Sequence, residues 1–195
     1  MITLKRIIFL AVAVVVALSC NAFAASLLTG KQELAVVIVG TSDYKTQDFF
    51  NSIGTYISEP CEGTKTKVLY GSDVQTKYQE YWLEKGELDE QRPNKQDLLD
   101  FVDYSGYDKV LYLILKDPVI DSHANPIMVN GIWATRQDTR ASIGLNIFLV
   151  EKGNIVKVHS VTKEDTSGTS ELRAKRGAFR ECMKEVSTVV VPLIK

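Results

Sequence analysis

Ser42 and Lys45 stand three residues apart in Ser42-Asp43-Tyr44-Lys45, directly behind the apolar run Leu34 to Gly40, LAVVIVG. At the end of a buried strand, that spacing lets a lysine amine take the proton of an acylating serine. The Ser-Asp-Asn and Lys-Thr-Gly partners of such serines are missing, and Ser42 is not followed by the glycine of a nucleophile elbow. A plain strand-to-helix turn explains the same residues.

Asp43 and Asp117 each follow a run of apolar residues. If those runs are parallel neighbours, both carboxylates overlook the carboxyl edge of a sheet, where open α/β sheets bind ligands. Their ordinary reading is as turn formers, since Asp117 precedes Pro118 and Asp43 opens a loop.

The remaining charge clusters suggest surfaces. Arg173, Arg176, Arg180 and Lys184 recur every three or four residues along one helical flank, with Glu181 and Glu185 on the far side. Such a flank is a solvated face, or it meets an acidic partner or anionic lipid. Arg136, Asp138 and Arg140 alternate along an extended segment, as on a strand edge protected from stray pairing. The functional version of that edge is a docked partner strand. Tyr78, Tyr81, Trp82 and Trp133 would line either a ligand pocket or plain core.

Metal and cofactor chemistry finds little footing. His123 and His159 sit in no ligand-spaced motif, and no glycine-rich phosphate loop is present, so no cofactor is expected. Cys61 and Cys182 survive in the exported chain as an even pair, which predicts a disulfide. That bond would require the helix ending near Pro60 to pack beside the last helix, with α-carbons within about 7 Å.

These residues need elements to hold them. LAVVIVG and Lys109 to Lys116, KVLYLILK, read as strands buried on both faces, with Lys67 to Tyr70 as a short third. Phe49, Phe50, Ile53, Tyr56 and Ile57 mark a first helix, stopped near Pro60. Ser72 with Gln75 and Asn94 with Asp97 predict capping boxes for two more. His123 to Pro126 reads as a polar loop and Ile127 to Arg140 as extended, with Asn130-Gly131 as a bulge or turn. Ser142 to Thr162 predicts a hairpin turning at Glu151 to Asn154. An even loop pairs Val150 with Ile155 and puts Val156 and Val158 on the Ile143–Leu149 face. A final helix runs from about Glu171 to Val191. The order predicts one α/β (α+β) domain, residues 34–195, behind a lead-in of residues 25–33. Its mixed sheet of about five or six strands has parallel βα units first and an amphipathic C-terminal helix packed on it.

The amino terminus reads as an address. Lys5 and Arg6 precede the apolar run Ile7 to Leu18, and Ala22-Phe23-Ala24 is a small-x-small cleavage pattern. Residues 1–24 therefore predict a signal peptide and a secreted, periplasmic protein with no membrane span in the mature chain. The alternatives are a lipoprotein anchored at Cys20 and an uncleaved anchor. Without residues 1–24 the 23 basic residues fall by two to 21 against 24 acidic, a net charge of −3 that gives no case for nucleic acid.

LAVVIVG, DKVLYLIL, and TRASIGLNIFLVEKGNIVKVHSV followed by an amphipathic helix together resemble a group of bacterial envelope domains. The group comprises the curli-secretion lipoprotein fold, the N-terminal domain of the Tol-Pal propeller protein, and the lipoprotein activators of penicillin-binding proteins. The chain is also similar to small secreted envelope proteins of unassigned function. This resemblance implies an accessory or assembly role, with another envelope protein as partner and no catalytic residues. Two other readings compete with it. One is a hydrolase working at the strand-end crevice near Ser42, Asp43 and Asp117, and the other is a small-ligand binding protein. The candidate binding residues are Asp43, Lys45, Asp117, Arg136, Arg140, Arg173 and Arg180.

Overall fold

A strand that is apolar without alternation must be covered on both faces. β1 (Gln32–Val39) meets that demand, with every side chain from Leu34 to Val39 fully buried. It lies inside a six-stranded sheet ordered β2 (Thr66–Leu69), β1, β3 (Lys109–Leu115), β5 (Ile132–Glu151) and β4 (Val119–Val129), with β6 (Asn154–Ser167) also paired to β5. The computed structural model describes residues 30–86 and 92–195. The expected signal peptide and Cys20 lie outside them. Sheet and helices form one compact unit, Glu33–Lys195.

β1 and β3 run parallel, with Val36 opposite Leu111. β3 and β5 run antiparallel, with Leu113 opposite Ile147. Because side chains alternate, the two parities of each strand serve different cores. Leu34, Val36 and Ile38 join Leu111, Leu113 and the Ile143–Leu149 face of β5. The first helix and the last cover that face. Helix α1 spans residues 47–61 as Gln47–Ile53, a π-helical turn Gly54–Ser58 and Glu59–Cys61; it contributes Phe49, Ile53 and Ile57. Its last-helix partner, α4 (Glu171–Ile194), contributes Phe179, Met183, Val186 and Val190.

The opposite parity, Ala35, Val37, Val110 and Tyr112, packs under α2 (Ser72–Lys85) and α3 (Lys95–Ser105). There Tyr78 meets Phe101 edge-on at 5.0 Å and Tyr112 at 6.2 Å. Contacts of this kind contribute about 0.5–1.5 kcal/mol each beyond burial. The expected aromatic cluster is thus core for Tyr78, Tyr81 and Trp82, while Trp133 lies elsewhere and exposed.

One of the two expected capping boxes is made. Asn94 accepts from Gln96 and Asp97 N–H, and Asp97 accepts from Asn94 N–H at 2.7 Å. At α2 the cap position is Gly71, and Gln75 is buried instead. Its amide brackets Ile38 of β1, donating to the carbonyl oxygen at 3.1 Å and accepting from the N–H at 2.6 Å. A side chain thereby completes hydrogen bonding for a fully buried strand residue.

The β5–β6 hairpin turns through Lys152 and Gly153, with Glu151 opposite Asn154 and Val150 opposite Ile155. Gly153 takes a φ of 73°, as that tight turn requires. One expectation then fails. A bulge between Leu149 and Val150 shifts the register, so Lys157, His159 and Lys163 lie opposite Leu149, Ile147 and Ile143. Val156 and Val158 face the other way and are exposed. The reason is electrostatic, because the polar flank of α4 overlies this strand. Glu185 receives His159 Nε2 at 3.1 Å and Lys163 Nζ at 2.7 Å. Inward-pointing charge on an outer strand also discourages pairing with other chains.

The predicted disulfide is not formed. Cys61 and Cys182 are both free thiols, buried in the same core. The helix pairing behind the prediction is present, yet the two cysteines meet α4 at different heights. Cys61 lies near the carboxyl end of α4, where the Lys195 charge acts on its thiol. Cys182 is about 12 residues earlier, or about 18 Å along the axis at 1.5 Å per residue, well beyond the reach of a bridge. Its Sγ is turned to the sheet, 3.5 Å from Ile143 O.

His123 to Pro126, expected as a loop, belongs to β4, and Asn130-Gly131 forms the turn of a long β4–β5 hairpin. The two residues take φ of 52° and 80°, the left-handed values of a tight hairpin turn. Residues 120–138 carry almost no buried side chain, which is why no core pattern announced them.

Candidate functional site

The path of the chain creates a gap between two strands. After β1 it crosses by α1 to β2 on one side, then by α2 and α3 to β3 on the other. The reversal puts a crevice outside the carboxyl ends of β1 and β3, the place where open α/β sheets hold ligands. A cavity of about 290 Å³ lies there. Gly40, Thr41 and Tyr44 form one wall, Leu115, Lys116, Asp117 and Pro118 the other, and Arg92 also lines it.

Tyr44 is the feature that sequence reasoning missed. It closes the 3₁₀ turn Ser42–Tyr44, where Tyr44 N–H donates to Thr41 O at 3.2 Å and the Lys45 N–H that follows donates to Ser42 O at 2.9 Å. Its ring packs edge-on against Phe49 at 5.0 Å, and Phe49 packs in turn on Phe179. The residue is 2% exposed, and its hydroxyl has no hydrogen-bond partner. Burial, with the nearby carboxylates of Asp43, Glu171 and Asp117, pushes its pKa up to about 12. The hydroxyl is therefore a proton-bearing donor at neutral pH. One signal was available in the sequence: a lone aromatic residue in the otherwise polar segment Thr41 to Lys45.

The structure gathers some of the predicted residues and scatters the rest. Asp117 lines the crevice, and Asp43 is exposed, 3.9 Å from Lys175 Nζ. The charges of both raise the pKa of Tyr44. Ser42 is exposed and Lys45 half-buried, their backbones joined by the 2.9 Å bond of the turn.

Arg136 and Arg140 lie at the base of the β4–β5 arm. Arg136 Nε donates to Asp138 at 2.8 Å, and Arg140 forks onto Glu164 of β6. Arg173 and Arg180 line a separate groove of about 820 Å³ with Arg176, which pairs with Asp48. Asp165 also lines that groove.

The arm is the other conspicuous surface. Val119, Met128, Val129, Ile132 and Trp133 are all between 50% and 71% exposed, and the last four flank its turn. No charged residue occurs from Ala124 to Thr135. Met128 pairs with Trp133 on one face and Val129 with Ile132 on the other. Among the described residues no helix is long and apolar enough to cross a membrane. Nor, among them, do three or more His, Cys, Asp and Glu side chains cluster as a metal site would require.

No family model and no curated protein sequence matches the chain. Solved structures do align with it. A minor lipoprotein of Acinetobacter baumannii matches over 83% of this chain and 93% of its own, at 10% identity and a TM-score of 0.37. A lipoprotein of Neisseria meningitidis matches over 84% and 97%, at 16% identity and a TM-score of 0.35. Rare lipoprotein B of Shewanella oneidensis matches over 84% and 93%, at 9% identity and a TM-score of 0.32.

Proposed function

We propose that this protein is an exported, non-enzymatic accessory of the bacterial cell envelope that docks onto another envelope protein through its β4–β5 arm. The observation that carries the reading is the apolar tip around Asn130-Gly131, held out beyond the core with Met128, Val129, Ile132 and Trp133 in solvent. Exposed apolar clusters of this kind mark interaction sites. An isolated two-stranded ribbon is marginal in water, so a partner that covers the tip stabilises the arm as well. The amino-terminal Lys5-Arg6, the Ile7–Leu18 run and Ala22-Phe23-Ala24 support export.

The test places a photo-crosslinking amino acid at position 133 in cells and, as a control, at Lys157 on β6. Expected is a discrete crosslinked envelope protein from position 133 only, lost when Met128 and Ile132 are both changed to serine. Equal yields from the two positions would refute docking by the arm. So would an unchanged cellular phenotype after residues 123–138 are replaced by a short Asn-Gly turn.

A further inference from the structure

The two strands of the arm are not equivalent. β5 is 20 residues long, and β6 accompanies it only as far as Thr139, opposite Ser167. From Ile132 to Asp138, β5 is paired with β4 on one side and, among the described residues, with no strand on the other. In an antiparallel pair the N–H and C=O of one residue point to the same side, and those of the next residue to the other. Gly144 O accepts from Lys116 N–H, and the register runs on into β4 without a shift. Even-numbered residues of β5 therefore turn their backbone groups to β4, and Trp133, Thr135 and Gln137 turn theirs to the open edge.

Pro126, opposite Thr135, agrees with that phase, because proline has no N–H and sits in a strand only where its nitrogen faces away from the ladder. On β4 it blunts the outer edge, whereas Ile132 to Asp138 contains no proline. An open groove of about 610 Å³ is lined by Thr135, Arg136 and Gln137 of this stretch and by Gly168, Thr169 and Ser170, where the chain turns off after β6.

We propose that the docking partner adds an extended segment to this edge, antiparallel to β5 and in line with β6, and that the segment is uncharged and rich in β-branched residues. This mode rests on the arm being the docking surface and names the chemistry of what docks. Backbone pairing supplies affinity, and side chains at alternate positions supply selectivity. The segment lies beside Trp133 and Thr135 on one face of the ribbon and beside Ile132 and Ala134 on the other. No charge from Ala124 to Thr135 answers one on the partner, and Arg136 is already paired with Asp138. A third strand also turns a marginal two-stranded ribbon into a stable sheet.

The test follows amide hydrogen exchange of the isotope-labelled chain, residue by residue, with acetyl-Thr-Val-Thr-Val-Thr-Val-Thr-amide as the probe. Expected is saturable slowing, by at least about tenfold, of the amides of Trp133, Thr135 and Gln137, with those of Ala124 and Met128 on the outer edge of β4 unchanged. The same peptide methylated at every nitrogen should have no effect. In cells, Thr135→Pro removes one edge N–H without breaking the β4 ladder, and should cut the crosslink from position 133 by at least about tenfold. Ala124→Pro, which does the same to the other edge, should leave that crosslink unchanged.

Strand addition is overturned if the three amides keep their exchange rates with the peptide, if the methylated peptide slows them equally, or if the β4 amides slow instead. Slow exchange of the three amides in the free chain, with a solution mass of two copies, would overturn it in favour of self-pairing. A crosslink that survives Thr135→Pro sinks strand addition and leaves docking by the arm intact. Absence of any crosslink in the parent, with the peptide still slowing the three amides, removes the docking reading and keeps the strand-accepting edge.

Discussion

Lys163 Nζ on β6 lies 2.7 Å from the Glu185 carboxylate on α4, on the side of the strand where alternation alone would put valines. Hydrogen bonds from Lys163 and then His159 hold the Glu185 carboxyl below its usual range. The bond to Glu185 holds the Lys163 amine above its own. The stability from Glu185 is present above its unfolded pKa of about 4.3 and lost as pH falls through its lower folded value. That from Lys163 is present below about 10.4 and lost as pH rises through its higher folded value. Melting temperatures measured from acid to alkaline pH should therefore show both limbs, and Glu185→Gln should flatten both. Parallel curves for the two proteins would refute this account of the β6 face.

The thiols offer a second measurement. Burial pushes Cys182 up to about 11 and raises Cys61 as well, so neither is a ready thiolate. The native chain should not react with a thiol-specific reagent at neutral pH. Unfolded without reductant, it should titrate two thiols per chain, and finding none would restore the disulfide.

The two tryptophans should behave as opposites. Trp82 is 3% exposed among Tyr78 and Tyr81, and Trp133 is 70% exposed on the arm. Trp82→Ala should cost about 3–5 kcal/mol. Trp133→Ala should stay within about 0.5 kcal/mol, because most of its side chain is already in solvent. Denaturant unfolding of each variant checks both. A large loss at Trp133 would mean that the arm is packed within the domain.

Gln75 should matter more than a helix-surface glutamine. Gln75→Leu leaves both polar groups of Ile38 without their side-chain partners, at about 1–3 kcal/mol for each group. Gln75→Glu can still accept from Ile38 N–H but cannot donate to its carbonyl. Unfolding free energies should therefore rank glutamine first, and a leucine variant as stable as the parent would dismiss the bracket.

Local pattern was enough wherever burial dictated the pattern. LAVVIVG and KVLYLILK announce two-faced strands because a strand between helix layers has no side to leave polar. The alternation Ile143, Leu145, Ile147, Leu149 identifies its own core face, and Lys152-Gly153 its turn, from backbone chemistry alone. The stripe Phe179, Met183, Val186, Val190 likewise marks how the last helix lies on the sheet. Asp43 and Asp117 were legible as strand-end residues because each follows one of those runs.

Tertiary structure decided what depends on a second element. The bulge that turns Lys163 inward answers to Glu185 on another helix, and no window of β6 contains Glu185. Gln75 left its cap for Ile38, a partner 37 positions away in the chain. The cysteines shared a helix pair but not a height on it, a distance along α4 that composition cannot express. Tyr44 became part of a crevice wall only when the crossings of the chain opened that crevice beside it. Its hydroxyl is unpartnered because of what surrounds it in space, and nothing in its neighbours along the chain records that.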